Sequence, residues 1–305
     1  MDADEPHSQL YFTDLRDHWW NDDYVALLAR RSGLDRARRV LDVGSGQGHF
    51  SRLWAPHLAP DFELVGVEPE SRSRAVADER CRTFIERERS RGTFRFVEGR
   101  AEALPFPDGS FDAAICQTVL IHVPDAARVV AEMTRVVRPG GVVLAAEPNN
   151  LGDLQRFAAR GPDADPADFL RDGELIARCI RGKVALGEGW NNLGARLPDF
   201  FTQLENVRFY QNDRPFVMVP PYATAPERAS LADTRDFDAK GIWSWRREET
   251  RRYWIAGGGD PARFDAEYDA ALARQRDELA RLDRGEWTEL TAMGMLIAFG
   301  YKRTT

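Results

Sequence analysis

A doubly wound α/β sheet is the fold class this sequence predicts, and three observations predict it. Between residues 40 and 147 short runs rich in Val, Leu, Ile and Ala recur, and segments of helical periodicity separate them. The runs are nearly continuous in apolar character, as burial on both faces of a parallel sheet requires. The first of them ends in a glycine-rich turn, Val43-Gly44-Ser45-Gly46-Gln47-Gly48, that opens a helix.

The elements follow in order. Trp19-Trp20, Asn21-Asp22-Asp23 and the amphipathic run Tyr24 to Arg31 read as helical, with Gly33 as the stop. Residues 40–43 form the first strand, and helical periodicity resumes at Phe50, Leu53 and Trp54. Residues 62–67 are a second strand ending at Glu68, and a charged helix over 71–89 leads to a third at 93–97. Residues 112–116 are a fourth strand, 123–137 a helix, and 141–147 a fifth strand. After Pro148 the rhythm breaks: 151–192 reads as irregular helices with a joint at Gly161-Pro162-Asp163. The pattern returns with a helix over 193–204 and a strand over 207–210. A second departure, from Pro220-Pro221 to Trp287, contains a helix over 263–282, and the last strand is 293–299. No internal repeat or low-complexity tract interrupts this order.

Composition narrows the function classes. With 43% hydrophobic and 30% charged residues the chain is ordinary globular material. No apolar run approaches the roughly 18 residues that span a bilayer. The opening Met1-Asp2-Ala3-Asp4-Glu5-Pro6 is acidic where a secretory leader is basic, so a cytoplasmic location is expected. A formal charge of -7 argues against a nucleic-acid surface. The basic residues near 80–91 alternate with Glu, as on a solvated, ion-paired helix face. Cys81, Cys116 and Cys179 are odd in number and far apart, which suggests buried thiols and neither a disulfide framework nor a zinc site.

The glycine turn permits a tight bend and close approach of a ligand to the backbone, beside the unpaired N–H groups of a helix start. Alone it fits dinucleotides equally well. Glu68, about twenty residues on, suits a ribose diol in either case. Three further features separate the alternatives: Asp42 inside the first strand, the segment Gly99-Arg100-Ala101-Glu102-Ala103-Leu104-Pro105-Phe106-Pro107-Asp108-Gly109-Ser110-Phe111-Asp112, and Arg135-Val136-Val137-Arg138-Pro139-Gly140-Gly141. With these in order the chain resembles the class I S-adenosylmethionine-dependent methyltransferases, in particular their UbiE-like small-molecule branch. The resemblance is close over residues 38–148 and looser over 193–211 and the final strand.

The resemblance implies a Rossmann-like, seven-stranded sheet with the last strand antiparallel, and S-adenosyl-L-methionine as cofactor. It places Asp42 and Gly44 at the methionine end of the cofactor, Gly46 and Gly48 in the loop beneath it, Glu68 on the ribose hydroxyls and Pro69 beside the adenine. The family's usual acid after the third strand is here Arg100. Ala101 then offers a backbone N–H to the ring, and Glu102 is the candidate for the polar role. Gln117, ending the fourth strand, faces the sulfonium region, while Pro139-Gly140-Gly141 is a structural turn.

For the methyl acceptor, His122 is the candidate general base, with a helix-capping histidine as its alternative. Glu147, at the carboxyl end of the fifth strand, reads as a base, a cation-binding carboxylate or a loop-anchoring acid. No acidic cluster for a catalytic metal is present. Roughly eighty residues (211–292) separate the last two strands, where a hairpin is usual; such an insertion predicts a lid. The expected organisation is an N-terminal helical cap (1–37), a core (38–150, 193–212 and 290–305) and a mostly helical substrate lid (151–192 and 213–289). The lid holds Phe169, Trp190, Phe216, Tyr222, Trp243, Trp245, Tyr253 and Trp254, of which Trp190, Tyr222 and Trp243, together with Trp20, are the acceptor-binding candidates. Most of these aromatics are alternatively the lid's own core.

The function expected is methyl transfer to an O, N or C nucleophile of a small, aromatic or apolar metabolite, in specialised metabolism. The alternatives are a non-catalytic S-adenosylmethionine-binding protein and a nicotinamide oxidoreductase; the latter has no use for Leu104-Pro105-Phe106 or Pro139-Gly140-Gly141. The oligomeric state is left open.

Overall fold

The computed structural model describes residues 16, 19–149, 165–212, 215–217, 245–284, 290–292 and 294–304. Seven strands form the main sheet: β1 (Arg39–Val43), β2 (Glu63–Val67), β3 (Thr93–Val97), β4 (Phe111–Gln117), β5 (Val137–Pro148), β6 (Glu205–Gln211) and β9 (Met295–Tyr301). Their spatial order is β3-β2-β1-β4-β5-β9-β6. The pairs from β3 to β5 are parallel, and β9 runs antiparallel to both β5 and β6. This is the Rossmann-like sheet expected, with its last strand reversed.

The strands form where they do because both faces are covered. In β1 and β2 every residue after the first is buried. On the helices, burial follows the apolar stripe. In α1 (Asp22–Ser32) Val25, Leu28 and Ala29 are buried, and Gly33 ends the helix at φ 77°. The short α2 (His49–Trp54) buries Phe50 and Trp54. The charged α3 (Ser71–Glu88) buries only Ser73, Ala77, Cys81 and Phe84, and the Glu70 side chain caps it by accepting from Arg72 and Ser73 N–H. In α4 (Ala126–Val136) Val129, Val130, Met133 and Val136 face inward.

Two elements differ from expectation. Strand β5 begins at Val137, because Val137 pairs with Phe111 before the register shifts and Val142 pairs with Ala113. The Pro-Gly-Gly turn is therefore an irregularity inside the strand. Gly140, at φ 73°, donates to Lys302 O at 2.8 Å, and Lys302 N–H returns to Gly141 O at 2.9 Å. The helix expected over 193–204 is instead a 3-10 turn (Leu193–Arg196) and the single-turn α6 (Leu197–Phe200). Gly194 packs onto the backbone of Glu147 and Pro148 so closely that a Cβ would stand 2.4 Å from Glu147 O.

The chain divides into two compact units. The first comprises the seven-stranded sheet and its flanking helices, α1 included. The second contains helices α5 (Pro166–Ala185), α7 (Arg247–Ala256) and α8 (Phe264–Asp283), with a two-stranded ladder of β7 (Pro215–Val217) and β8 (Leu290–Ala292) that the sequence did not suggest. Its core gathers Leu175, Ile176, Cys179, Ile180, Trp245, Tyr253, Trp254, Phe264, Tyr268 and Ala271. Helices α5 and α7 meet at glycine: a Cβ on Gly182 would lie 1.8 Å from Tyr253 O, and one on Gly257 1.9 Å from Arg178 O. Among the described residues no helix is long and apolar enough to cross a membrane.

Candidate active site

The strand order reverses direction between β1 and β4, and in open α/β sheets ligands bind outside the carboxyl ends at such a switch point. The glycine loop lies there. Gly44, Gly46 and Gly48 have φ of 66°, 50° and 78°, a region that side-chain-bearing residues avoid. Gly44 and Ser45 N–H both donate to Val67 O, at 2.8 and 3.1 Å, folding the loop over the end of β2. A Cβ on Gly48 would press on Cys81 Sγ and Ala77 at 3.1 and 3.3 Å, so the loop must sit flush on α3.

Beside the loop lie an acid and a hydroxyl whose hydrogen bonding is incomplete. Asp42 is 1% exposed, and its Oδ2 accepts from Ser51 Oγ at 2.6 Å. Its Oδ1 and the Ser45 hydroxyl are buried with no hydrogen-bond partner among the described residues. Burial, with the Glu68 carboxylate as a further contribution, pushes the Asp42 carboxyl up to about 7. Asp42 pairs in register with Gly66, and a Cβ on Gly66 would stand 2.6 Å from Ser45 Oγ and 2.3 Å from the Phe96 ring. Glycine at 66 thus keeps open the space in which Ser45 sits. Buried oxygens without donors cost free energy unless a ligand supplies them. A ligand that brings donors suits these two groups.

Glu68, half-buried at the end of β2, accepts from Gly46 N–H at 3.2 Å and from Glu70 N–H at 3.1 Å. Burial raises its carboxyl above the usual range, against those two hydrogen bonds. Arg74 donates to Glu68 O at 2.6 Å and Pro69 O at 2.7 Å, and its ion pair with Glu98 fixes the guanidinium. Pro69 is exposed. After β3, Arg100 is exposed, 3.7 Å from the Glu102 carboxylate, and bridges to Ala103; Ala101 and Glu102 are half-buried.

The Leu104-Pro105-Phe106 segment has a structural explanation. Glu132 on α4 accepts from Leu104 N–H at 2.9 Å. Arg135, one turn on, donates to Leu104 O at 3.1 Å, Phe106 O at 2.8 Å and Asp108 at 2.7 Å, and pairs with Glu132. This ion pair clamps a loop that lies outside the sheet. The helical spacing of Glu132 and Arg135 was visible in the sequence, but their target was not.

At the end of β4, Gln117 is buried, and Thr118 has the left-handed φ of 56°. Glu147, fully buried on β5, receives the next three backbone N–H groups: Val119 and Leu120 on Oε1, both at 2.9 Å, and Ile121 on Oε2 at 3.3 Å. Of its three readings the geometry matches the loop anchor. His122 closes the ensuing 3-10 turn (Leu120–His122), half-buried, its N–H on Val119 O. Helix α4 is capped by Asp125, which accepts from Arg128 N–H at 2.9 Å.

Trp20 is buried against Phe50, ring centroids 6.1 Å apart, and Phe50 in turn against Trp54. In the helical unit Trp190 is half-buried against the aromatic cluster; Trp245, Tyr253 and Trp254 are inside it. Tyr222 and Trp243 lie outside the described residues. All three cysteines are buried; desolvation pushes the Cys81 and Cys179 thiols up to about 12.

Comparison with known proteins places this site in a family context. Residues 41–145 match the family model described as a methyltransferase domain. An uncharacterised methyltransferase of Schizosaccharomyces pombe is 31% identical over 152 residues, 47% of this chain and 54% of that protein. A demethylmenaquinone methyltransferase of Geobacillus kaustophilus is 30% identical over 128 residues, 42% of this chain and 51% of that protein. The chain thus spans about half the length of these curated relatives. Among solved structures, a phosphoethanolamine N-methyltransferase 2 of Haemonchus contortus in complex with S-adenosyl-L-methionine aligns with a TM-score of 0.50 at 15% identity, over 99% of this chain and 58% of that one. That likeness is one of fold.

Proposed function

We propose, from the premise that residues 41–145 are a class I S-adenosylmethionine-dependent methyltransferase domain, that this protein transfers a methyl group to an O, N or C nucleophile of a small metabolite. One observation carries the reading: the unsatisfied Asp42 and Ser45 oxygens and the Glu68 carboxylate bonded to the Gly46 N–H lie together at the switch point of the sheet.

S-adenosyl-L-methionine supplies an electrophilic methyl on a sulfonium. Everything else is positioning, which can account for much of such a displacement's rate. Glu68 is the acceptor for the ribose hydroxyls, an assignment that exchanges its present bond to Gly46 N–H for ligand donors. Asp42 and Ser45 hold the floor of the loop. Pro69, Ala101 and Glu102 flank the adenine; exposed Arg100, tied to Glu102, leaves Glu102 the polar contact there. Gln117 faces the reacting end. His122 serves as general base where the nucleophile carries a proton, and Glu147 keeps the turn that presents it.

The acceptor is proposed to be aromatic or apolar. A relative named for demethylmenaquinone supports this. The inserted segments are proposed as the substrate lid, and a cytoplasmic role in specialised metabolism is part of the same proposal.

Calorimetric titration with S-adenosylmethionine and S-adenosylhomocysteine tests the reading, and failure to bind either ends it. Glu68→Ala should weaken S-adenosylhomocysteine binding by about 1.5–3 kcal/mol, the worth of hydrogen bonds to a charged group. An unchanged affinity would remove Glu68 from the ribose.

A further inference from the structure

The carboxyl edge of the sheet holds the glycine loop and Glu68, while a cavity of about 370 Å³ opens at the amino ends of β2 and β3, where methyl transfer gives it no task. Phe62, just before β2, and Glu68, just after it, are about 20 Å apart at the usual rise of a strand, so the cavity is no part of the cofactor crevice. Its volume lies within the roughly 300–1,000 Å³ of small-molecule sites. The lining comes from the segment between α2 and β2, the last turn of α3, and the residues that join α3 to β3. These walls are fixed before any ligand arrives. Phe62 and Phe84 both stand edge-on to Phe94, ring centroids 5.3 and 6.1 Å away. Gly92 lies against the Phe62 ring, where a Cβ would stand 2.2 Å from it. Thr93 N–H donates to Phe62 O at 2.8 Å, and Ser90 N–H to Ile85 O at 3.1 Å.

The lining has two natures. Pro56 and Pro60 are exposed beside the buried Leu58, Phe62 and Phe84, an apolar surface open to solvent on one side. The rest of the rim is basic. Arg89 and Arg91 are exposed, and neither makes a hydrogen bond or ion pair through its side chain among the described residues. Glu88, the one acid in the described lining, is already bonded to Arg87 Nε at 2.7 Å. The Ser90 hydroxyl accepts from Gly92 N–H at 3.2 Å and keeps its own proton to donate. The carbonyl end of α3 opposes an anion with about half a charge, less than the two guanidiniums supply. Arg89 adds a conformational signal: it follows the last residue of α3 at φ 50°, a position that glycine fills without strain. Arginine there costs stability and sets a guanidinium on the cavity rim, the pattern of a strained residue kept for its side chain.

We propose that this cavity binds a small apolar monocarboxylate, its hydrocarbon body against Pro56 and Pro60 and its carboxylate on Arg89 and Arg91. Guanidinium forks present paired donors in the geometry that a carboxylate accepts, and the apolar wall separates such a ligand from inorganic anions. The assignment is independent of the methyl-transfer reading.

The test uses the whole chain and two fluorescent probes, 2-naphthoate and 2-naphthalenemethanol, which share a ring system and differ in charge. The wild type should bind 2-naphthoate about tenfold more tightly than the alcohol, as a charge-assisted hydrogen bond implies. Arg91→Gln and Arg89→Gly should each weaken 2-naphthoate binding by about tenfold and leave the alcohol within about twofold. Arg89→Gly should also equal or exceed the wild type in urea unfolding, because glycine accepts this backbone conformation; that separates lost affinity from lost structure. The proposal is overturned if the wild type does not bind 2-naphthoate, if acid and alcohol bind equally, or if either variant keeps wild-type affinity, which would put the probe elsewhere. Displacement of 2-naphthoate by an equal concentration of inorganic phosphate overturns it as well, since the apolar wall would then contribute nothing.

Discussion

Replacing Asp42 by Asn should change how stability depends on pH. Asp42 is 1% exposed, its Oδ2 bonds Ser51, and burial holds its carboxyl near 7. In the unfolded chain the same group titrates near 3.9. Between those values the folded state keeps a proton that the unfolded state releases. Stability from this group is therefore full below about pH 4 and falls by roughly 1.4 kcal/mol per pH unit until the folded group ionises near 7. Over the whole interval that is about 4 kcal/mol, and from pH 5 to 8 about 2.7 kcal/mol. No discount for solvent screening applies to a group so buried. Asn has the same shape, still accepts from Ser51 and cannot ionise. Urea unfolding at pH 5, 6, 7 and 8 should show the variant gaining on the wild type by about 2–3 kcal/mol across the series. Parallel stability curves for the two proteins would refute the reasoning, because the protonation difference would then belong to other groups.

Two further outcomes follow from packing. Arg135→Met removes the donors to Leu104 O and Phe106 O and leaves buried Glu132 without its ion pair, so urea unfolding should report a loss of about 2–4 kcal/mol; a loss under about 1 kcal/mol would show the clamp to be idle. Gly182→Ala forces a methyl onto Tyr253 O at the α5–α7 crossing and should cost about 2–4 kcal/mol, seen as faster proteolysis within residues 165–284; wild-type cleavage kinetics would contradict the tight crossing.

The sheet was legible in the sequence because burial on both faces leaves a local signature: short apolar runs, one per strand. The same reason made the glycine loop and Glu68 legible, since a tight turn at a strand end restricts residue type locally. What stayed hidden was determined by partners distant in the chain. The early start of β5 depends on Phe111 reaching Val137, a pairing that no window around Pro139 contains. The collapse of the helix at 193–204 depends on Gly194 lying against the Glu147–Pro148 backbone. The aromatic residues after Tyr210 were visible as aromatics, but whether Trp245, Tyr253 and Trp254 serve a ligand or a core is decided by Phe264, Tyr268 and Leu175, which come from two other helices.

Glu147 shows why the catalytic side is harder to read than the cofactor side. A carboxylate at the carboxyl end of a central strand has the position of a base, and sequence alone supports that role. Its surroundings match those of a loop anchor. Both oxygens are occupied by backbone N–H groups of residues 119–121, which come from the turn after β4, and the side chain is sealed from solvent. What it contributes is geometry: it fixes a strained Thr118 and delivers His122 at the end of a turn closed by the bond from His122 N–H to Val119 O. Strand β5 thus supplies the carboxylate that holds the turn after β4. Residue type and strand position identify the pair of strands involved; only the hydrogen-bond directions say that one strand holds the turn of the other.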